Sequence, residues 1–127
     1  MRNNIKILVF NLQFMTWIVT YSNFEQVDMR VGTIITAQVF REARKPAYQL
    51  TIDFGPEIGI KKSSAQITIH YQPEQLIGRQ IIAVVNFPAK QIGPWISEVL
   101  ILWTPDETGS VILLVPDKQS INGVRVF

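Results

Sequence analysis

The chain has 127 residues, 47% apolar and 17% charged, which suits one folded domain and excludes both a disordered tail and a core with a separate catalytic domain beside it. It has no cysteine, so disulfide staples, thiolate catalysis and cysteine-based zinc sites are excluded. The formal charge of +2 comes from Arg2 and Lys6, because residues 22 to 127 carry ten basic and ten acidic side chains, and a domain this neutral needs a local patch to attract nucleic acid.

Residues 1–20, MRNNIKILVFNLQFMTWIVT, begin positively and turn apolar, as a secretory signal does. Asn11 and Gln13 interrupt that run, no small-x-small cleavage site follows before Tyr21, and the run is too short and polar for a membrane span. It reads as an amino-terminal extension of a cytoplasmic protein from a translation start placed early, with Met15 the candidate start; a membrane or export element is the alternative. The domain is expected over residues 21–127.

Leading into it, Thr16 to Tyr21 is rich in β-branched and aromatic residues and predicts a short strand. Ser22-Asn23-Phe24-Glu25 has capping-box spacing and predicts a helix to about Asp28. From Met29 to Phe40 the pattern is that of a strand, with Gly32 where it could bend or bulge. Arg41 to Pro46 is a charged loop, and Ala47 to Phe54 alternates, with Tyr48, Leu50, Ile52 and Phe54 on one side and Gln49, Thr51 and Asp53 on the other.

The stretch Phe54 to Ile67 follows, with Gly55-Pro56 and Gly59 turning the chain around Ile58 and a polar corner, Lys61-Lys62-Ser63-Ser64-Ala65-Gln66, after it. Two ammonium groups, two hydroxyls and an amide can hold phosphates, carboxylates or peptide amides; equally, the lysines can be solvated strand ends and Ser63 a helix cap. Ser64 to Tyr71 and Pro73 to Gly78 predict one or two helical turns, with Pro73 at a helix start and Gly78 at its end. Arg79 to Phe87 and Ile96 to Trp103 read as strands buried on both faces, joined by a loop over Ala89 to Trp95. Thr104 to Ser110 is an acidic turn, Val111 to Val115 a strand, and Asn122-Gly123 a turn before Val124 to Phe127.

Five central strands with a small helix between the third and fourth, plus terminal strands, predict an all-β protein with short helices. That order suits an OB-fold, a five-stranded Greek-key barrel, although a six-stranded barrel or a sandwich satisfies the same counts. No catalytic constellation accompanies it: His70 is the single histidine and is expected on the surface, and Gly55 to Gly59 lacks the Gly-Lys-Ser end of a phosphate loop. Binding is therefore expected rather than catalysis, with no cofactor and no metal. The candidate RNA or ligand rim comprises Arg44, Lys45, Lys61, Lys62, Ser63, Ser64, Gln66, Asn86, Lys90 and Ser97, and the candidate peptide groove Phe87, Ile92 and Trp95.

The runs Asp28 to Ile34, Asp53-Phe54-Gly55 with Ile58 to Thr68, Val84 to Pro88, and Ser97 to Leu100 resemble the CsaA family of bacterial export-related chaperones, from about Tyr21 to Phe127. The resemblance implies an OB-fold tRNA-binding domain similar to the carboxy-terminal domain of bacterial methionyl-tRNA synthetase, standing alone as a homodimer. It implies unfolded or export-destined polypeptides as partners, with tRNA bound in trans, or a scaffolding role beside a synthetase, as alternatives. Lys61, Lys62, Ser63, Ser64, Gln66, Asn86, Ser97 and Glu98 fall within the family's motifs; Asn86 and Ser97 can instead hold loops together, and Glu98 can be a structural acceptor. The chain departs from the family in the more apolar Lys90 to Ile96 loop and in the amino-terminal extension. Trp17 to Tyr21 and Val111 to Val115 are the candidate dimer edges.

Overall fold

The structure, a computed structural model, describes residues 18–127; the expected start at Met15 and the first two residues of the first predicted strand, Thr16 and Trp17, lie outside the described residues. Ile18 to Thr20 form no strand, and the chain enters helix α1 (Tyr21–Glu25) directly. The cap is Thr20 rather than Ser22: Thr20 is extended, and its hydroxyl accepts from the Asn23 N–H at 3.2 Å. Ser22 lies inside the helix, and α1 stops short of Asp28.

Strand β1 (Met29–Val39) is long because it serves two neighbours. Its first half pairs with β4 (Gln80–Val84) and its second with β2 (Tyr48–Asp53). The register shifts between Ile34 and Thr36, so the strand bulges there and not at Gly32. Such a bulge sharpens the twist and lets one strand turn a barrel corner. Gly32 answers to packing instead, since a Cβ there would lie 2.7 Å from the side chains of Ile52 and Phe54.

The alternation expected after Ala47 holds: Tyr48, Leu50, Ile52 and Phe54 are all buried. They pack with Ile34, Ile67, Leu76, Ile81, Ala83, Val99, Ile101 and Leu113 in one apolar core. After Phe54 the turn is one helical turn, α2 (Gly55–Ile58), and β3 (Ile60–Ala65) then runs antiparallel to β2. Residues 64 and 65, predicted as helical, belong to this strand, because pairing with Gln49 and Tyr48 supplies their backbone partners. Ser63 accordingly caps no helix. Residues 66–72 are loop and turn, and the next helix is α3 (Pro73–Leu76), where the Gln72 and Gln75 side chains cap each other's backbone, Pro73 opens the first turn and Gly78 follows the end.

The predicted strand Ile96 to Trp103 is broken into pieces. Lys90–Ile92 (β5) and Trp95–Ser97 (β6) form a hairpin, Leu100–Ile101 (β7) pairs with β4, and Trp103–Pro105 (β8) pairs with β9 (Val111–Leu113). The breaks arise where the backbone changes partner: Glu98 bonds to Lys62, while the Leu102 N–H donates to Ile82 and its carbonyl accepts from Leu114. The main sheet has the order β3-β2-β1-β4-β7. Its edges approach through β3 and the segment from β6 to β7, giving the nearly closed, five-stranded antiparallel barrel of the OB type.

The carboxy-terminal segment closes the bottom of β1. Gly123 sits at φ +90°, its N–H donates to Val31 at 2.7 Å, and a Cβ there would strike the Phe54 carbonyl. Past it, Arg125 forms an isolated bridge to Arg30, and its guanidinium donates to the Glu25 carbonyl.

Candidate functional site

Because β2 turns Tyr48, Leu50 and Ile52 inward, Gln49 and Thr51 face outward. The register aligns them into two cross-strand rows on the outer face, Gln38-Gln49-Ser64 and Thr36-Thr51-Lys62. The Gln38 amide donates to the Gln49 carbonyl oxygen at 2.9 Å, and the Thr36 and Thr51 hydroxyls are 2.5 Å apart. This polar platform lies between two loops. One is residues 40–47, with Arg41, Arg44 and Lys45 exposed, and the other is the β5–β6 hairpin. The loops meet at their tips, where a Cβ on Gly93 would be 4.0 Å from the Glu42 Cβ. OB barrels use this location, the face of the second and third strands with its flanking loops, to hold oligomeric ligands.

The hairpin is fastened to β3 by a seam in which side chains do most of the bonding. The Glu98 N–H donates to the Lys62 carbonyl at 2.7 Å, and the Lys62 N–H donates to the Glu98 carboxylate at 2.9 Å. The Ser64 N–H donates to the Ser97 hydroxyl at 3.2 Å, and the buried Ser63 hydroxyl donates to the Val99 carbonyl at 3.1 Å. Trp95 joins the seam through its indole N–H, which donates to the Ser63 carbonyl at 3.0 Å. The Lys62 ammonium then lies 5.1 Å from the Trp95 ring centroid.

The structure thus gathers Lys62, Ser64, Trp95 and Ser97 into one place, with Ile92 and Lys90 opposite Trp95 and Ser97 in the hairpin and Arg44 and Lys45 in the facing loop. It separates Lys61 from Lys62. Lys61 pairs with the inward-facing Ile52, as Ser63 pairs with Leu50, so the two lysines stand on opposite faces of β3. Ser63 is 1% exposed and presents nothing to a ligand. Gln66 is exposed just beyond β3. Asn86 works as a fastener, its carbonyl oxygen accepting from the Asp28 N–H at 3.0 Å and its amide donating to the Gln26 carbonyl at 2.8 Å; Phe87 beside it is exposed. Glu98 is a structural acceptor. The residues that sequence reasoning missed are Thr36, Gln38, Gln49 and Thr51, although the alternation of β2 already set the last two apart.

His70 is on the surface but not alone. Its Nε2 lies 2.6 Å from Asp106, which ties the 66–72 turn to the loop between β8 and β9. Hydrogen bonds from the Thr108 hydroxyl, from His70 and from the Ser110 N–H hold the Asp106 carboxyl well below the usual carboxylate range. At the start of β1, a hydrogen bond from Arg30 lowers Asp28, and Arg30 also donates to the Gly123 carbonyl at 2.9 Å. Among the described residues no group of three or more His, Asp or Glu is placed to hold a metal, and no helix is long and apolar enough to cross a membrane.

Residues 29–125 match the family model described as "Putative tRNA binding domain". The solved structure of the chaperone CsaA from Bacillus anthracis is 49% identical, with a TM-score of 0.81 over 87% of this chain and 100% of that one. The chain belongs to the CsaA and tRNA-binding domain family. The CsaA chaperone of Picrophilus torridus is 50% identical at a TM-score of 0.80, again over that chain's full length. A methionyl-tRNA synthetase-related protein of Pyrococcus horikoshii is 26% identical at 0.76. Among curated relatives, a methionine–tRNA ligase of Sorangium cellulosum is 37% identical over 84% of this chain and one of Methanococcoides burtonii 32% over 86%. The match spans only 15% and 16% of their lengths.

Proposed function

We propose that this chain is a CsaA-type chaperone that acts in the cytoplasm, without catalysis, by holding unfolded or export-destined polypeptides. The observation that carries this reading is the identity of 49% and 50% to two CsaA chaperones over their full lengths. Its surface agrees: Phe87, Ile96 and Leu100 are each more than a third exposed on or beside the hairpin and β7, where extended apolar segments can lodge. The test is suppression of aggregation of a denatured client together with client binding at about 0.5 M salt, where exposed charges are screened to within a few ångström. Capture that disappears in salt, or no protection at all, removes the chaperone reading.

A second reading, tRNA binding in trans, is supported by the family model and by the platform between the loops carrying Arg41, Arg44 and Lys45 and carrying Lys90, with Lys62 at its edge. Affinity would then fall with salt at a slope reporting about three to five phosphate contacts. We further propose a two-fold dimer through the β8–β9 hairpin, where Trp103, Ile112, Leu114 and Val115 are exposed and the two strands pair only with each other in their sheet. Ile112→Asp is expected to yield a monomer in sedimentation velocity; a dimer that persists excludes this edge.

A further inference from the structure

The Trp95 indole is held at its edge and covered on its face by a group that can leave. Its N–H bond to the Ser63 carbonyl fixes the ring on β3, while the Lys62 ammonium, 5.1 Å from the ring centroid, sits on a flexible stem. The outward rows bearing Ser64, Thr51 and Gln49 start immediately beside it, and the basic loop with Arg44 and Lys45 stands across from the hairpin. An apolar side chain docking on the indole would displace the ammonium and give it nothing in return. A nucleotide supplies both halves, a π-face for the indole and a phosphate for the ammonium, and the outward-facing, half-buried hydroxyl and amide groups meet the edge of the base.

We infer that Trp95 and Lys62 form a subsite for one unpaired nucleotide, with the base stacked on the indole and its phosphate paired with the lysine. The inference rests on the RNA-binding reading and narrows it. A base inside a duplex has both faces occupied by its neighbours, so this subsite selects single-stranded or looped segments over helical ones. It also reassigns Trp95, expected from sequence in a peptide groove, to a nucleotide contact.

The chain contains Trp17, Trp95 and Trp103, so replacing Trp17 and Trp103 with Phe leaves Trp95 as the only indole reporter. Titrating that protein with a short oligoadenylate is expected to quench Trp95 emission, whereas a duplex RNA of equal length leaves it unchanged. In the wild-type background, Trp95→Leu is expected to weaken oligoadenylate binding about tenfold and Trp95→Phe less than about threefold, since a phenyl ring still stacks. Urea midpoints of both variants establish that the loss is not one of folding. Oligoadenylate bound with Trp95 emission unchanged, equal affinity in a folded Trp95→Leu protein, or binding of tRNA but not oligoadenylate each overturns the stacking subsite and leaves RNA binding standing. Failure of tRNA, duplex and oligoadenylate alike overturns both.

Discussion

Glu98 is the residue whose removal most directly tests how the barrel closes. Its carboxylate takes the Lys62 N–H at 2.9 Å, in the place where a neighbouring strand would supply a carbonyl, while its own N–H completes the pair at 2.7 Å. Glu98→Ala leaves the second bond intact and strips the Lys62 N–H of its partner. A hydrogen bond to a charged acceptor contributes about 1.5–3 kcal/mol, and because both residues are only part-buried the lower end applies, about 1.5 kcal/mol. For a domain of this size that lowers the melting temperature by about 6 °C. Glu98→Gln keeps an acceptor oxygen and is expected to cost about 0.5 kcal/mol. Urea denaturation reads both as a shift of midpoint at constant slope, because the surface exposed on unfolding is unchanged. Since the same bond positions Lys62, Glu98→Ala also weakens any ligand that meets the Lys62–Trp95 pair. A midpoint unchanged in Glu98→Ala would show that the seam does not depend on this carboxylate, and a Gln variant as weak as Ala would show that charge, not the acceptor, is what matters.

The split of the lysine doublet predicts unequal variants: Lys62→Ala reduces the salt slope of RNA binding by about one, while Lys61→Ala leaves the slope as it was. Equal effects in a filter-binding titration would contradict the strand parity. Gly123→Ala forces a side chain into φ +90° against the Phe54 carbonyl and is expected to destabilise by about 2 kcal/mol or more, read from the same urea midpoints. Asp106 has its carboxyl held below the ordinary range, so the fold favours the ionised form; that stabilisation is complete above the unfolded-state value and disappears as pH falls through the folded one. The melting-temperature gap between wild type and Asp106→Asn should therefore be open near neutrality and close in acid; a gap that widens on acidification reverses the sign and refutes the account.

Much of the barrel was legible because strands report on themselves. The alternation over Tyr48, Leu50, Ile52 and Phe54 gave the buried face of β2, and Pro73 and Gly78 bracketed α3 correctly. The misreadings fall where neighbours rather than local pattern decide. Ile96 to Trp103 is apolar enough for one strand, yet Glu98 and Leu102 each turn their backbone to a different partner and divide it. Ser22 carries capping-box spacing, yet Thr20 comes first in the geometry that a cap requires. Lys61 and Lys62 were read together as one charged corner, whereas a strand necessarily sends adjacent side chains apart.

By itself the sequence determined the family resemblance, the order of the central strands along the chain and the inward face of β2, because these depend on residue type, spacing and period. Only the tertiary structure decided which polar groups share a surface. Lys62 and Glu98 are 36 positions apart, as are Ser63 and Val99, and their meeting depends on how far the barrel curls before its edges touch. That closure turned a polar corner and a loop tryptophan into neighbours, and no local period along the chain carries that information.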